Sequence, residues 1–282
     1  MPPGKKKNFI DADASRWLRA ADVSIYTDAS AVNVKSATRV LRVLEYFDGI
    51  RREAGVTEIS RALGFPVSST SGLLQSLVEL GYLSKDRDRL YRLTPRVTLL
   101  GSWVDPTLAP GGPVLSLMQE LSGATGETVA LGIPLDITVR YIHVIPATNP
   151  MRLHVGPGDV RPMALSGMGR LFLSTMSDDA IRHVLFRHNA LQRDDETRLS
   201  LSEVRSDIDH IRDVGYSVSI DRIAKGAGLV CMTVPTPEIG LSAIAVGGLS
   251  ETIRANFEAL AVLMKGCIDR HLGYLRDPIN RP

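Results

Sequence analysis

Ser68, Ser69, Ser71 and Gln75 are short hydrogen-bonding side chains, and a helical plot at about 100° per residue puts them on one face with Leu73, Leu74, Leu77 and Leu80 opposite. A solvated helix face usually carries Lys and Glu, which favour the helix. Serine gains nothing there unless another surface must come close. The major groove of DNA is such a surface, because bases are read through hydrogen bonds at their edges and a Gln amide matches adenine. Arg39, on the polar side of an earlier helix, and Arg87 and Arg89, beyond the serine-rich stretch, have the charge and reach for phosphates.

A second set of residues suits a small anion. Gly167, Met168 and Gly169 open a helical stretch whose free backbone N–H groups would receive a carboxylate, and Gly226, Gly228, Gly247 and Gly248 flank strand-like runs. Tight turns and close packing account for such glycines equally well, so both readings stand. Catalytic signatures are missing. Gly156 and Gly158 lack the third glycine of a dinucleotide fingerprint, and Ser166 sits in LSGMG instead of GxSxG. His183 and His188 have no HExxH context, so no catalytic residue, metal or cofactor is expected.

The DNA-facing residues need a frame, and the first part of the chain supplies one. Val40, Leu41, Val43, Leu44 and Phe47 recur at helical spacing over 34–47. Over 57–83, Thr57 is expected to cap a short helix with Ile59, Ala62 and Leu63 on its apolar face, and Gly64 and Pro66 close it and open the next. After Gly81 the run YLSKDRDRLYRL reads as a hairpin, with Tyr82 and Leu83 against Leu90, Tyr91 and Leu93 and its tip at 85–88. Three helices and a basic hairpin make a winged helix-turn-helix over 31–94. Before it, 1–30 reads as a disordered tail in which Lys5, Lys6 and Lys7 remain solvated. After it, 95–112 reads as a linker helix and hinge. Leu99, Leu100, Trp103 and Val104 are expected to bury against the same helix of another subunit, and Pro106, Pro110 and Gly111 mark the boundary.

From 113 to 275 the pattern predicts a second domain, with a tail at 276–282. Helices are expected at 114–122, 168–175, 178–187, 201–214 and 251–272, and strands at 127–133, 137–145, 151–155, 216–219, 229–234 and 241–246. The class is α+β, with a mainly antiparallel sheet flanked by helices.

Composition narrows the function classes. A chain of 282 residues has room for two cores, and no apolar run approaches the roughly 18–20 residues that span a bilayer. The N-terminus has no secretory h-region, and Cys231 and Cys267 are too few for a disulfide framework, so a cytoplasmic protein without a membrane partner is expected. Net charge is only +2, but 31–96 hold eleven Lys and Arg against seven Asp and Glu, so the helix-turn-helix end is the basic one.

Four stretches carry a resemblance to the IclR family of bacterial transcription regulators over 34–274: VKSATRVLRVLEYF, VTEISRALGFPVSSTSGLLQSLVELGYL, RPMALSGMGRLFLSTM, and DVGYSVSID with GLVCMTVP after it. The resemblance implies a winged helix joined to a GAF-like effector domain, assembled as a homodimer or tetramer on double-stranded operator DNA. It places the effector pocket on Gly167, Met168, Asp221, Cys231, Ala245 and Gly247. Members that bind small hydroxy or keto acids commonly have Ser at the last two positions. Ala and Gly there imply a roomier, less polar pocket suited to a bulkier or aromatic acid, and Arg222 and Ile223 replace an acidic pair. In the reading helix, Val67 and Gly72 stand where the family often has basic residues, which leaves specificity to Ser68, Ser69, Ser71 and Gln75 and phosphate binding to the wing.

The expected function is therefore a ligand-responsive repressor or activator that senses a small organic acid. The competing class is a metabolite-binding or catalytic domain using Cys231 and Asp221, with a vestigial DNA-binding domain. An architectural DNA binder is a third.

Overall fold

The computed structural model describes residues 34–101, 108, 111–148, 155–192, 198–236 and 240–276. The expected 1–30 tail, 277–282 of the expected C-terminal tail, the linker positions Trp103, Val104, Pro106 and Pro110, and the part of the 151–155 strand before Val155 lie outside the described residues. The chain divides into two compact units, one spanning Ala29–Pro106 and the other holding Thr107–Pro282.

The first unit runs α1 (Lys35–Ile50), α2 (Val56–Leu63), α3 (Val67–Glu79), β1 (Leu83–Lys85), β2 (Tyr91–Leu93) and α4 (Pro95–Gly101). Val43 and Phe47 of α1, Ile59 of α2, Leu74 and Leu77 of α3, and Leu83 and Tyr91 of the hairpin form one buried cluster. Each such side chain contributes about 1.5–3 kcal/mol on burial, enough to fix three short helices that would not be stable alone. Gly64 ends α2 in the left-handed conformation at φ 66°, and Pro66 precedes α3.

Four local expectations change. Thr57 does not cap α2: the N-cap is Gly55, without a side-chain bond, and Thr57 is exposed in the first turn. The cause is an antiparallel bridge between Ala54 and Tyr91, which holds the chain extended up to Ala54 so that the helix begins directly after Gly55. The stretch before α2 is thus part of the wing and not only a polar connection. Leu80 is exposed just past the end of α3, while Thr70 near its start is buried, its hydroxyl donating to the Pro66 carbonyl at 3.0 Å. Lys85 belongs to β1, opposite Tyr91, which leaves the tip to 86–90.

The second unit runs α5 (Pro113–Thr125), β3 (Thr128–Leu135), β4 (Thr138–Ile145), β5 (Val160–Pro162), α6 (Gly167–Ser174), α7 (Asp178–Leu191), α8 (Leu201–Val214), β6 (Ser217–Ile220), β7 (Ala227–Thr236), β8 (Gly240–Leu249) and α9 (Ser250–Leu272), with a 3-10 turn at Gly273–Arg276. The six strands form one sheet in the order β5-β4-β3-β8-β7-β6, every neighbouring pair antiparallel. Pro134, expected in a turn, lies within β3. A strand that was not expected, β5, pairs with the start of β4 through Thr138 and Pro162.

Alternation along the strands sorts the helices onto two faces. Val129, Leu131, Val230, Ile244 and Val246 pack with Val114, Leu117 and Leu121 of α5 and with Ile253, Leu260, Met264 and Ile268 of α9. The intervening Ala130, Cys231, Ala243 and Ala245 face Met168, Leu171 and Phe172 of α6. The small residues on that face let α6 lie close to the sheet. Behind it, Ile181 and Leu185 of α7 and Val204 and Ile208 of α8 form a further cluster with Met163 and Leu165.

Candidate nucleic-acid interface and ligand cavity

On α3, Ser68, Ser71 and Gln75 are exposed and Ser69 is half-buried. Arg39 donates to the Ser69 hydroxyl at 3.4 Å, and its guanidinium lies 5.3 Å from the Phe65 ring centre, so it links α1 to the turn before α3 and to α3 itself. The Gln75 amide donates to Glu79 at 3.2 Å, one turn along the same helix. Gly72 is exposed, and a methyl group added there would meet nothing within 4 Å. The wing presents Arg87 and Arg89 to solvent, Arg89 in a left-handed conformation at φ 62° that bends the tip. Thr57 lies on α2, exposed and apart from the serines in sequence.

In the second unit, a cavity of about 140 Å³ opens at the N-terminus of α6. Its polar lining is Tyr141, Arg161, Ser166, Ser219 and Arg222, and its apolar lining includes Val155, Ile223, Ala224 and Leu229. Of the six residues placed in the pocket by the resemblance, Gly167 is in this lining, with Gly228 of the glycine set beside it, and Gly167 is there for steric reasons: a Cβ would stand 2.6 Å from the Ser219 Cβ. Ser166 caps α6, its hydroxyl accepting from the Gly169 N–H at 3.1 Å. Gly169 is needed for close packing, since a Cβ there would collide with the Met163 backbone.

The other expected pocket residues serve the cavity from outside its lining. Met168 is fully buried and packs over Gly132, where the β3–β4 register shifts. Cys231 and Ala245 face each other across β7 and β8 in the cluster that holds Met168, so the space left by an alanine at 245 is core volume. Gly247 is buried opposite Leu229. Asp221 sits at φ 57°, accepts from the Gly226 N–H at 2.6 Å and is 3.5 Å from Arg254. It pins the 221–226 turn that brings Arg222, Ile223 and Ala224 to the cavity.

Sequence reasoning missed Tyr141, Arg161, Ser219 and Leu229, because residues so far apart in sequence show no common period. For Arg222 a signal existed: a cation in place of an acidic pair changes the ligand chemistry instead of merely weakening the inference. Arg161 stacks 5.7 Å from the Tyr141 ring centre and pairs with Asp159 at 3.4 Å, while Arg222 pairs with Asp207 at 2.5 Å. Asp207 is also 3.5 Å from the buried Arg170, whose pKa is lowered to about 9 by burial and then by the repulsion of Arg222. Burial pushes the Tyr141 phenol up to about 12, so it stays protonated and able to donate. Burial likewise pushes the Cys231 thiol up to about 12, which keeps it from serving as a nucleophile at neutral pH. Among the described residues no group of three or more His, Cys, Asp or Glu is placed to hold a metal, and no helix is long and apolar enough to cross a membrane.

Family comparison assigns the two units. Residues 36–87 match the IclR helix-turn-helix domain, and 114–261 match the C-terminal domain of bacterial transcriptional regulator IclR. The chain belongs to the IclR family of transcriptional regulators. Among IclR relatives it is similar to the HTH-type transcriptional regulator KdgR of Escherichia coli, at 26% identity over 83% of this chain and 88% of that one. It is also similar to the acetate operon repressor of Salmonella typhimurium, at 26% identity over 71% and 74% of the two chains. The crystal structure of Thermotoga maritima IclR shares the fold, with a TM-score of 0.57 at 16% identity, covering 86% of this chain and all of that one. These relatives are regulators of transcription, not enzymes, and the chain pairs the DNA-binding helix-turn-helix of the family with its effector domain.

Proposed function

We propose that this IclR-family regulator binds a palindromic operator as a cytoplasmic homodimer or dimer of dimers, and that a small organic acid in the α6 cavity alters that binding. Ser68, Ser69, Ser71 and Gln75 read base edges, with Arg39 holding Ser69 in place, while Thr57, Arg87 and Arg89 meet the phosphates. The observation that carries the effector reading is a partly enclosed cavity lined by two arginines at a helix N-terminus, an arrangement that suits an anion. One of the similar regulators is named for the acetate operon, which fits a carboxylate-centred chemistry.

The size of the cavity favours a compact acid. Taking roughly 30 Å³ per water as the scale, it holds a ligand about as large as five waters. An aromatic acid remains within the reading only as a single small ring against Val155, Ile223 and Leu229. Subunit pairing through the linker is supported by α4, whose seven residues include none buried and whose Leu99 and Leu100 are 69% and 55% exposed.

Selection of binding sites from random duplexes tests the DNA half of this reading, and recovery of one inverted repeat supports it. Thermal-shift screening of organic acids against the full chain tests the effector half, because a ligand that binds only the folded state raises its stability. A pool with no sequence preference, or acids that leave the transition unmoved, would count against the respective half.

A further inference from the structure

Arg161 and Arg222 reach the cavity from separate elements, the first from β5 and the second from the turn after β6. Each is anchored on one side by its own carboxylate, Asp159 at 3.4 Å and Asp207 at 2.5 Å. Val155, Ile223 and Leu229 give the lining an apolar wall, beside the hydroxyls of Tyr141, Ser166 and Ser219. Asp207 is shared, because it also serves the buried Arg170 at the longer distance of 3.5 Å.

We propose that the effector is a compact dicarboxylate, one carboxylate meeting Arg161 and the other Arg222, with its short carbon spacer against the apolar wall. This rests on reading the cavity as the effector site. A guanidinium carries five N–H donors in a planar fork, so Arg222 can keep one carboxylate while receiving another. Because Asp207 also lies 3.5 Å from Arg170 of α6, a ligand carboxylate on Arg222 shares its charge environment with the helix layer. A monocarboxylate engages one guanidinium and leaves the second facing an apolar wall.

The test is isothermal titration of the full chain with succinate, glutarate and adipate, and with butyrate, pentanoate and hexanoate, at neutral pH and fixed ionic strength. At least one dicarboxylate is expected to bind about tenfold or more tightly than the monocarboxylate of equal length, the scale of one charge-assisted hydrogen-bond pair. Arg161→Gln and Arg222→Gln are each expected to bring it down to the monocarboxylate level, and Arg161→Lys and Arg222→Lys to keep intermediate affinity, since charge survives without the fork. Melting of each unliganded variant confirms that it folds. Equal binding of mono- and dicarboxylates, or undiminished dicarboxylate binding in a folded glutamine variant, overturns the dicarboxylate assignment and leaves the acid-effector reading standing. If none of the six acids binds, the dicarboxylate assignment is overturned, and an organic acid that raises the melting temperature in the thermal-shift screen keeps the acid-effector reading.

Discussion

Asp207 and Arg222 meet at 2.5 Å at the cavity, and the same carboxylate lies 3.5 Å from Arg170, whose side chain is 1% exposed. One acidic group on α8 therefore offsets a cation at the ligand site and another sealed between helices. Asp207→Asn leaves the buried charge poorly compensated and is expected to cost about 3 kcal/mol in urea unfolding. Arg222→Gln, which retains a donor for Asp207, should cost about 1 kcal/mol or less. Equal losses in the two variants would show that Arg170 does not depend on Asp207.

His188 is buried, and its pKa is lowered to about 4, first by burial and then by the charge of Arg170. Its folded pKa lies below the unfolded value of about 6.5, so unfolding takes up a proton between those limits. Its contribution to stability is complete above about pH 6.5 and is lost as pH falls through about 4. At about 1.4 kcal/mol per tenfold change in proton affinity, the loss should reach roughly 3 kcal/mol. Urea unfolding across this range should show the slope in the native chain, and His188→Met should flatten it. An unchanged slope in the variant would assign the effect to other groups.

Two glycines should respond oppositely to alanine. At Gly72 a methyl group enters open space on a helix, and Gly72→Ala should stabilise the first unit by about 1 kcal/mol. At Gly169 the same methyl meets the Met163 backbone, so Gly169→Ala should destabilise the second unit by at least 1–3 kcal/mol. Circular dichroism melts of both variants provide the comparison.

Much of this architecture is legible in the sequence, and the exceptions have definite causes. The 201–214 helix matches its expected bounds because Ser200 and Glu203 form a capping box and Gly215 ends it in the left-handed conformation, all local signals. The N-cap of α2 was misplaced because the Ala54–Tyr91 bridge is a tertiary contact that no local pattern records. Strand β5 has three residues and ends in proline, too short to show alternation. The cavity was legible at Gly167, where a helix opens, and at Gly228, with Arg222 and Ile223 noted as departures. Arg161 and Arg222 come to one lining from opposite edges of the sheet, β5 and the turn after β6, which no local pattern records.

Wing and reading helix should separate by salt dependence. Arg87→Ala and Arg89→Ala are each expected to weaken binding to all duplexes alike and to lower the slope of log K against log salt by about 1. Gln75→Ala should leave the slope unchanged and relax preference at one base pair, at a cost of about 1–3 kcal/mol. Fluorescence anisotropy on matched and mismatched duplexes resolves the two effects.

The most direct measurement is the affinity of the full chain for DNA upstream of its own gene, against random duplex of equal length, over a salt titration. A sequence-reading regulator should bind one upstream site at least about a thousandfold more tightly than random DNA, with affinity falling steeply and linearly in log salt. Equal affinity for upstream and random duplexes at every salt concentration would contradict the account.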